Sequence, residues 1–269
     1  MRMISIVTAW FFLLAPSSGL LGQFWEEKSY TRWTEKEARR FMEESPWCYD
    51  FKWVTSNNIG ESVRYGTDSE REITTIFRLT LFSAHVVRQA YVALAAKGDI
   101  RKFNKYRDFI EREYDEIVVA LTLDSIPAGS STLLDIHSQL EKLGTPELVS
   151  QTYLATDSGK KIYLKKYIPP TPDGTGAKFV FPRTMPDGTP FLTITDRQIK
   201  FQTIEFEVRT PAQGPRWAAI LDGDHSVRQR SILLRRAAFE EPEAPPSYRV
   251  APEARFRLDQ LSFRGRLDY

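Results

Sequence analysis

The chain is poor in the residues on which most site chemistry depends. Of its 269 residues, one is cysteine (Cys48) and three are histidine (His85, His137 and His225). A single cysteine excludes an internal disulfide, and a domain of this size needs none, because its core can hold it together. Cys48 is left with three possible roles: a small buried hydrophobe, one half of an intermolecular disulfide, or a reactive thiol. Three histidines offer little material for a zinc site or a histidine-based triad. The 14 glycines form neither Gly-x-Gly-x-x-Gly nor a phosphate loop, so no nucleotide cofactor is expected. Neither sign of charge is in excess. With 37 Lys+Arg against 35 Asp+Glu and a net charge of +2, nothing argues for a nucleic-acid partner. No apolar run reaches the ~20 residues that span a bilayer.

A shorter apolar run is present. Arg2 precedes Ile4 to Ala15, and Pro16, Ser17, Ser18 and Gly19 break the run with small residues. This order of a positive start, a short apolar stretch and small residues predicts a secretory signal peptide over 1–22. Ser17 and Gly19 satisfy the small-x-small rule for cleavage, and Gly22 is the alternative. The mature chain is therefore expected to be secreted or periplasmic, with no transmembrane segment.

The remainder reads as α+β. Thr34 and Glu37 form a capping box that opens a helix with the stripe Ala38, Phe41 and Met42. Trp47, Tyr49, Phe51 and Trp53 alternate with polar residues and predict a half-buried strand. Asn57 to Gly60 reads as loop. Glu72 to Ser83 is a second strand, and a helix carrying Val87, Ala90, Tyr91 and Leu94 stops at Gly98. Asp99 caps a further helix with the stripe Phe103, Tyr106 and Ile110. Ile117 to Leu123 is a strand. Ser131 or Thr132 opens a helix closed by Gly144, and Thr145-Pro146 starts a short one. From Gln151 the texture turns to strands, with turns at Asp157-Ser158-Gly159, Pro172-Asp173-Gly174 and Pro186-Asp187-Gly188. Between Ile199 and Val208 the alternation slips phase, which predicts a bulge near Thr203. Glu240 to Pro252 reads as an exposed linker, and the C-terminal stretch is strand again. A mixed helix/strand region (23–150) is thus followed by a mostly antiparallel β region (151–269), and the two can also be read as one continuous domain.

Several segments together carry a resemblance. These are Trp25-Glu26, then Tyr30-Thr31-Arg32-Trp33-Thr34-Glu35-Lys36-Glu37, then Glu44-Ser45-Pro46-Trp47. Phe82-Ser83-Ala84, Val87-Arg88-Gln89-Ala90, Phe181-Pro182-Arg183 and Leu261-Ser262-Phe263-Arg264-Gly265-Arg266-Leu267 join them. They resemble a family of exported bacterial proteins familiar from acidobacteria. The likeness runs through nearly all of the mature chain. Its most specific part is Trp33-Thr34 with Ser45-Pro46-Trp47. In that family Ala usually follows the Ser-Pro-Trp, so Cys48 is a departure that counts against an essential thiol. The resemblance implies export and a shared fold, and brings no activity with it.

Candidate site residues are few. His225 lies in Asp222-Gly223-Asp224-His225, where two carboxylates and an imidazole could meet a cation, but the ligand count of a calcium loop is not reached. His85 opens a helix beside Ser83. Ser83 lacks a Gly-x-Ser-x-Gly elbow and is expected to cap the helix. His137 is expected on an apolar helix face. Trp25, Trp33, Trp47 and Trp53 could form a platform for a glycan or peptide, or could staple the N-terminal helix to the sheet. An Arg-rich C-terminal stretch suits a solvated strand face or an anionic surface. Trp25, Trp33, Trp47, Trp53, His85, Arg88 and His225 are thus the ligand-site candidates, with no catalytic or metal residue named and no cofactor. The function expected is a non-catalytic binding or structural protein of the cell envelope, with an envelope protein or a glycan as partner. The alternative is an exported hydrolase whose residues meet only in the fold.

Overall fold

The computed structural model describes residues 24–56, 72–126, 128, 130–193, 195–209 and 247–269. The predicted signal peptide, the loop after Ser56 and His225 lie outside the described residues.

Two antiparallel sheets share one core. The first joins β1 (Cys48–Ser56), β2 (Glu72–Leu81), β3 (Glu116–Ile126), β6 (Lys166–Thr171) and β7 (Gly176–Pro182), in the order β1-β2-β3-β7-β6. The second has the order β11-β8-β4-β5, from β4 (Tyr153–Thr156), β5 (Lys161–Tyr163), β8 (Gln198–Gln202) and β11 (Glu253–Arg257). Register follows the alternation of the sequence. Leu79 faces Leu121, Leu81 faces Val119, and Val119 faces Phe179 across the strands. A strand's side chains alternate between its two faces, so these residues and Phe77 and Phe181 line one buried face. Phe179 and Phe181 meet Phe201 of the second sheet at 5.2 and 6.2 Å between ring centroids. The edge strand β6 carries Pro169 and Pro170, which cannot donate to a ladder and so blunt that edge.

Helices cover the other face and one end. α1 (Phe24–Glu27) and α2 (Glu35–Glu44) precede β1. The Thr34/Glu37 capping box is present in α2. α3 (His85–Ala96) ends at Lys97 and Gly98, both with positive φ. The next predicted helix is broken at Tyr106 into α4 (Ile100–Lys105) and α5 (Arg107–Glu111). Tyr91 of α3 and Phe109 of α5 pack on Phe82, Val118 and Ala120 of the outer sheet face. α6 (Ser131–Lys142) and α7 (Thr145–Leu148) follow β3. The N-caps are Ser130, just before the predicted Ser131 or Thr132, and Gly144, one residue before the predicted Thr145.

Two expectations are corrected. The phase slip near Thr203 is not a bulge within one strand. β8 ends at Gln202, and β9 (Phe206–Arg209) pairs with β10 (Ser247–Val250) in a separate two-stranded sheet. Each strand buries its own parity of residues, so the slip marks a change of sheet. The same pairing makes Ser247–Val250 a strand, where composition suggested a linker. After β11 the chain ends in a small hairpin of β12 (Ser262–Phe263) and β13 (Arg266–Leu267).

Candidate functional site

The junction between β2 and α3 gathers three of the sequence candidates. The first N–H groups of a helix have no partner within it, and Ser83 was expected to supply one. Instead Ser83 is buried, and its Oγ accepts the N–H of Val118 at 3.1 Å. The cap comes from the far end of the chain. Asp268 accepts the N–H of His85 at 2.6 Å and that of Val86 at 2.9 Å, one on each carboxylate oxygen. The main-chain oxygen of Asp268 accepts the indole N–H of Trp47 at 2.7 Å. Beside it, Arg183 donates to the carbonyls of Tyr114 and Tyr269 and lies 4.2 Å over the Tyr269 ring.

His85 and Arg88 stand on the same helix end. The His85 side chain is 29% exposed, with Nε2 3.7 Å from Glu111 and Nδ1 3.4 Å from the Gln89 amide. Burial lowers its pKa, opposed by the charges of Asp268 and Glu111. Arg88 is 5% exposed. It donates to the carbonyls of Phe109 and Arg112 at 2.8 and 2.6 Å and stacks 4.7 Å from the Tyr114 ring centroid. Acyl transfer by a His–carboxylate pair needs a nucleophile within hydrogen-bond reach, and Ser83 is turned away to Val118. The junction is built as a clasp: the Asp268 carboxylate ties the C-terminal end of the chain to α3, Arg183 holds Tyr269 beside Tyr114, and Arg88 ties α3 to the end of α5.

The tryptophans divide between staple and surface. Trp33 and Trp47 are buried and donate their indole N–H groups to main-chain oxygens. Trp25 lies 5.2 Å from Phe41 and 6.4 Å from Trp47, so α1 and α2 close on β1 through aromatic edges. Trp53 stands apart, half-buried against Tyr248 at 5.7 Å. Two further residues take places of their own. His137 is 46% exposed and 3.5 Å from Glu141, one turn along α6, because the buried stripe there is Thr132, Ile136 and Leu140. Cys48 is half-buried and accepts from the Thr80 hydroxyl at 3.6 Å, and burial pushes its thiol up to about 11.

A Ser-Lys-Asp cluster lies between the β4–β5 turn and the segment before β8. Ser158 donates to Asp196 at 2.5 Å, the Thr193 N–H and hydroxyl donate at 2.7 Å each, and Lys160 lies 3.1 Å away. Burial alone would raise the Asp196 pKa, but the bonds from Ser158, Thr193 and Lys160 outweigh it and hold the carboxyl far below its usual range. Lys160 also donates to the Phe191 carbonyl at 3.1 Å and meets the Thr193 hydroxyl at 3.2 Å, so its ammonium is held within the loop. The cluster fastens a loop.

Among the described residues, one further groove was not legible as a motif. A polar groove of about 920 Å³ runs between α6, α7, β4, β8 and the β9–β10 pair. Part of its wall is committed to the fold. The Gln139 amide donates to the Glu207 carbonyl at 2.6 Å and accepts its N–H at 3.0 Å, which ties α6 to β9. Thr203 is bonded to Thr152 at 3.0 Å. The Tyr153 hydroxyl donates to Gln202 Oε1 at 2.5 Å, and Lys161 lies 3.4 Å over the Tyr153 ring. Gln151, Glu147, Glu205 and Arg249 complete the lining that matters chemically. Arg249 and Glu205 approach only to 3.9 Å, and Arg249 is 82% exposed. These residues come from separate elements, and only the slip at Thr203 hinted that the chain turned there.

Among the described residues, no three His, Cys, Asp or Glu side chains gather as a metal site, and no helix is long and apolar enough to cross a membrane. No family model, curated protein or solved structure matches the chain.

Proposed function

We propose that the protein is an exported, non-catalytic binding protein of the cell envelope, secreted or periplasmic, and that its ligand lies in the groove bordered by Tyr153 and Gln202. The observation that carries this reading is the groove itself. It is an open depression of about 920 Å³, and its lining includes planar polar side chains suited to orienting a polar ligand. Export is supported by the Ile4 to Ala15 run and the small residues after it. The two described histidines do not favour catalysis, since Ser83 beside His85 is engaged by Val118 and His137 is paired along its own helix.

A second reading has one observation in its favour. Glu147, Glu205 and Glu207 line the same groove, and glycoside hydrolysis uses two carboxylates facing across a cleft. Both readings are tested by incubating the mature protein with solubilised envelope glycans and peptides, mapping amide shifts, and analysing the recovered ligand by mass. Binding reading: shifts at the groove with the ligand intact. Hydrolase reading: cleaved products that vanish in Glu205→Gln or Glu207→Gln. Shifts confined to other surfaces contradict both. Intact mass of the secreted chain tests export, with the first residue expected between 20 and 23.

A further inference from the structure

We propose that the cleft at the start of α3 is a recognition site for a peptide segment with an aspartate directly before an aromatic residue, and that Asp268 and Tyr269 fill it here as a tethered occupant. The site shares no residue with the Gln202 groove and does not depend on it.

A helix cap needs one side-chain acceptor. The contacts here read two successive residues, main chain and side chain together. The Asp268 carboxylate accepts the N–H groups of His85 and Val86. The Asp268 carbonyl accepts the indole N–H of Trp47 at 2.7 Å. The Tyr269 carbonyl accepts from Arg183, and the same guanidinium lies over the Tyr269 ring. These donors stand just before β1, at the start of α3 and just after β7. All of them converge on one dipeptide. With the Asp268 carbonyl fixed by Trp47, the short aspartate side chain reaches both N–H groups, and a glutamate would be one methylene too long.

The occupant itself is lightly held outside these contacts. From Arg264 to Tyr269 no side chain is buried, and Arg264, Arg266 and Leu267 are exposed. Tyr269 packs on the core only in part. Upstream, β12 and β13 pair over two residues each. The turn between them is made by Arg264 and Gly265, at φ of 51° and 74°. Main-chain bonds from Arg264 to Glu26 and from Asp268 to Leu261 add to the hold. The cleft, by contrast, belongs to the core. Trp47 is fully buried, and its N–H would lack an acceptor if the segment simply lifted away, which is costly. Exchange avoids that cost, because a second peptide with the same carboxylate, carbonyls and ring meets the same donors. A tethered segment competes at an effective concentration on the order of millimolar. The site is therefore guarded in cis, and weakening its own occupant opens it.

The test is fluorescence anisotropy with the labelled peptide Gly-Arg-Leu-Asp-Tyr amide, the sequence of residues 265–269. It is titrated with the mature protein and with its Asp268→Ala variant. The parent should bind only in large excess. The variant, whose own segment lacks the carboxylate, should bind about tenfold more tightly, the value of a helix cap. The peptide should also raise the variant's melting temperature. A peptide carrying Asp268→Ala should do neither, and one carrying Tyr269→Leu should bind several-fold more weakly. If the variant does not fold, the parent carries the test. Excess peptide should then shift the amides of His85 and Val86 and the indole N–H of Trp47, and the Asp268→Ala peptide should not. Absence of both the rescue and these shifts would overturn the proposal. Equal binding of the Asp268→Ala peptide, or shifts at the Gln202 groove in place of α3, would overturn it as well.

Discussion

The carboxylate of Asp268 caps α3 from 183 residues away, accepting the N–H of His85 at 2.6 Å and that of its neighbour Val86 at 2.9 Å. An N-cap normally comes from the residue before the helix. Here that residue is Ala84, which has no side-chain oxygen, and Ser83 is engaged by Val118. Asp268→Ala should therefore cost about 1–2 kcal/mol in denaturant unfolding, the range of a lost cap with its favourable dipole interaction. Asp268→Asn should keep part of it, and Ser83→Ala should not act through α3. An Asp268→Ala variant as stable as the parent would mean that the C-terminal hairpin holds without its cap.

Arg88 makes a second prediction. Its guanidinium serves two carbonyls, of Phe109 and Arg112, from a nearly closed site. Arg88→Met would leave both acceptors short of a donor and should cost about 2–4 kcal/mol. Arg88→Lys should recover little, since an ammonium lacks the planar fork and the stack on Tyr114. Full rescue by lysine in thermal unfolding would show that charge alone matters there.

Stability should fall in acid, and Asp196 should account for much of the fall. A carboxyl whose folded pKa lies below its unfolded value of about 3.9 stabilises fully above that value and loses the contribution as pH drops toward the folded pKa. Asp196 is of this kind. Asp173 is another, held at about 2 against its burial by hydrogen bonds from Thr171 and Thr175. Asp196→Asn should lower stability at pH 7 and flatten its dependence below pH 4. An unchanged acid slope in the variant would assign the dependence elsewhere.

Cys48 should resist alkylation. A thiol pushed up to about 11 carries almost no thiolate at pH 8, and the thiolate is the reactive form. Iodoacetamide should label the native protein far more slowly than the unfolded chain. Rapid native labelling, or a disulfide-linked dimer in air, would contradict the half-buried, hydrogen-bonded thiol.

Much of the fold was legible because its signals are local. The Thr34/Glu37 box, the alternation through Phe77, Leu79 and Leu81, and the Gly98 stop act over a few residues, and each appears in the structure. The misread positions depend on distant partners. Nothing near Ser83 announces that Asp268 will take its role. His137 was assigned to the apolar face beside Ile136 and Leu140, yet it lies on the side of α6 shared with Glu141. The change of sheet after Gln202 looks in sequence like a bulge, since both shift the alternation by one. The groove was invisible for the same reason: Gln151, Tyr153, Gln202 and Arg249 become neighbours only once β4, β8 and the β9–β10 pair have found their places.

The central claim is that this protein binds its ligand in the Gln202 groove without chemistry. Amide shift mapping during titration with solubilised envelope glycans and peptides, followed by mass analysis of the recovered ligand, tests it most directly. The expected result is saturable shifts clustered at Gln139, Gln151, Tyr153 and Gln202, with the ligand recovered intact. Shifts confined to His85 and Asp268, or a cleaved ligand, would contradict it.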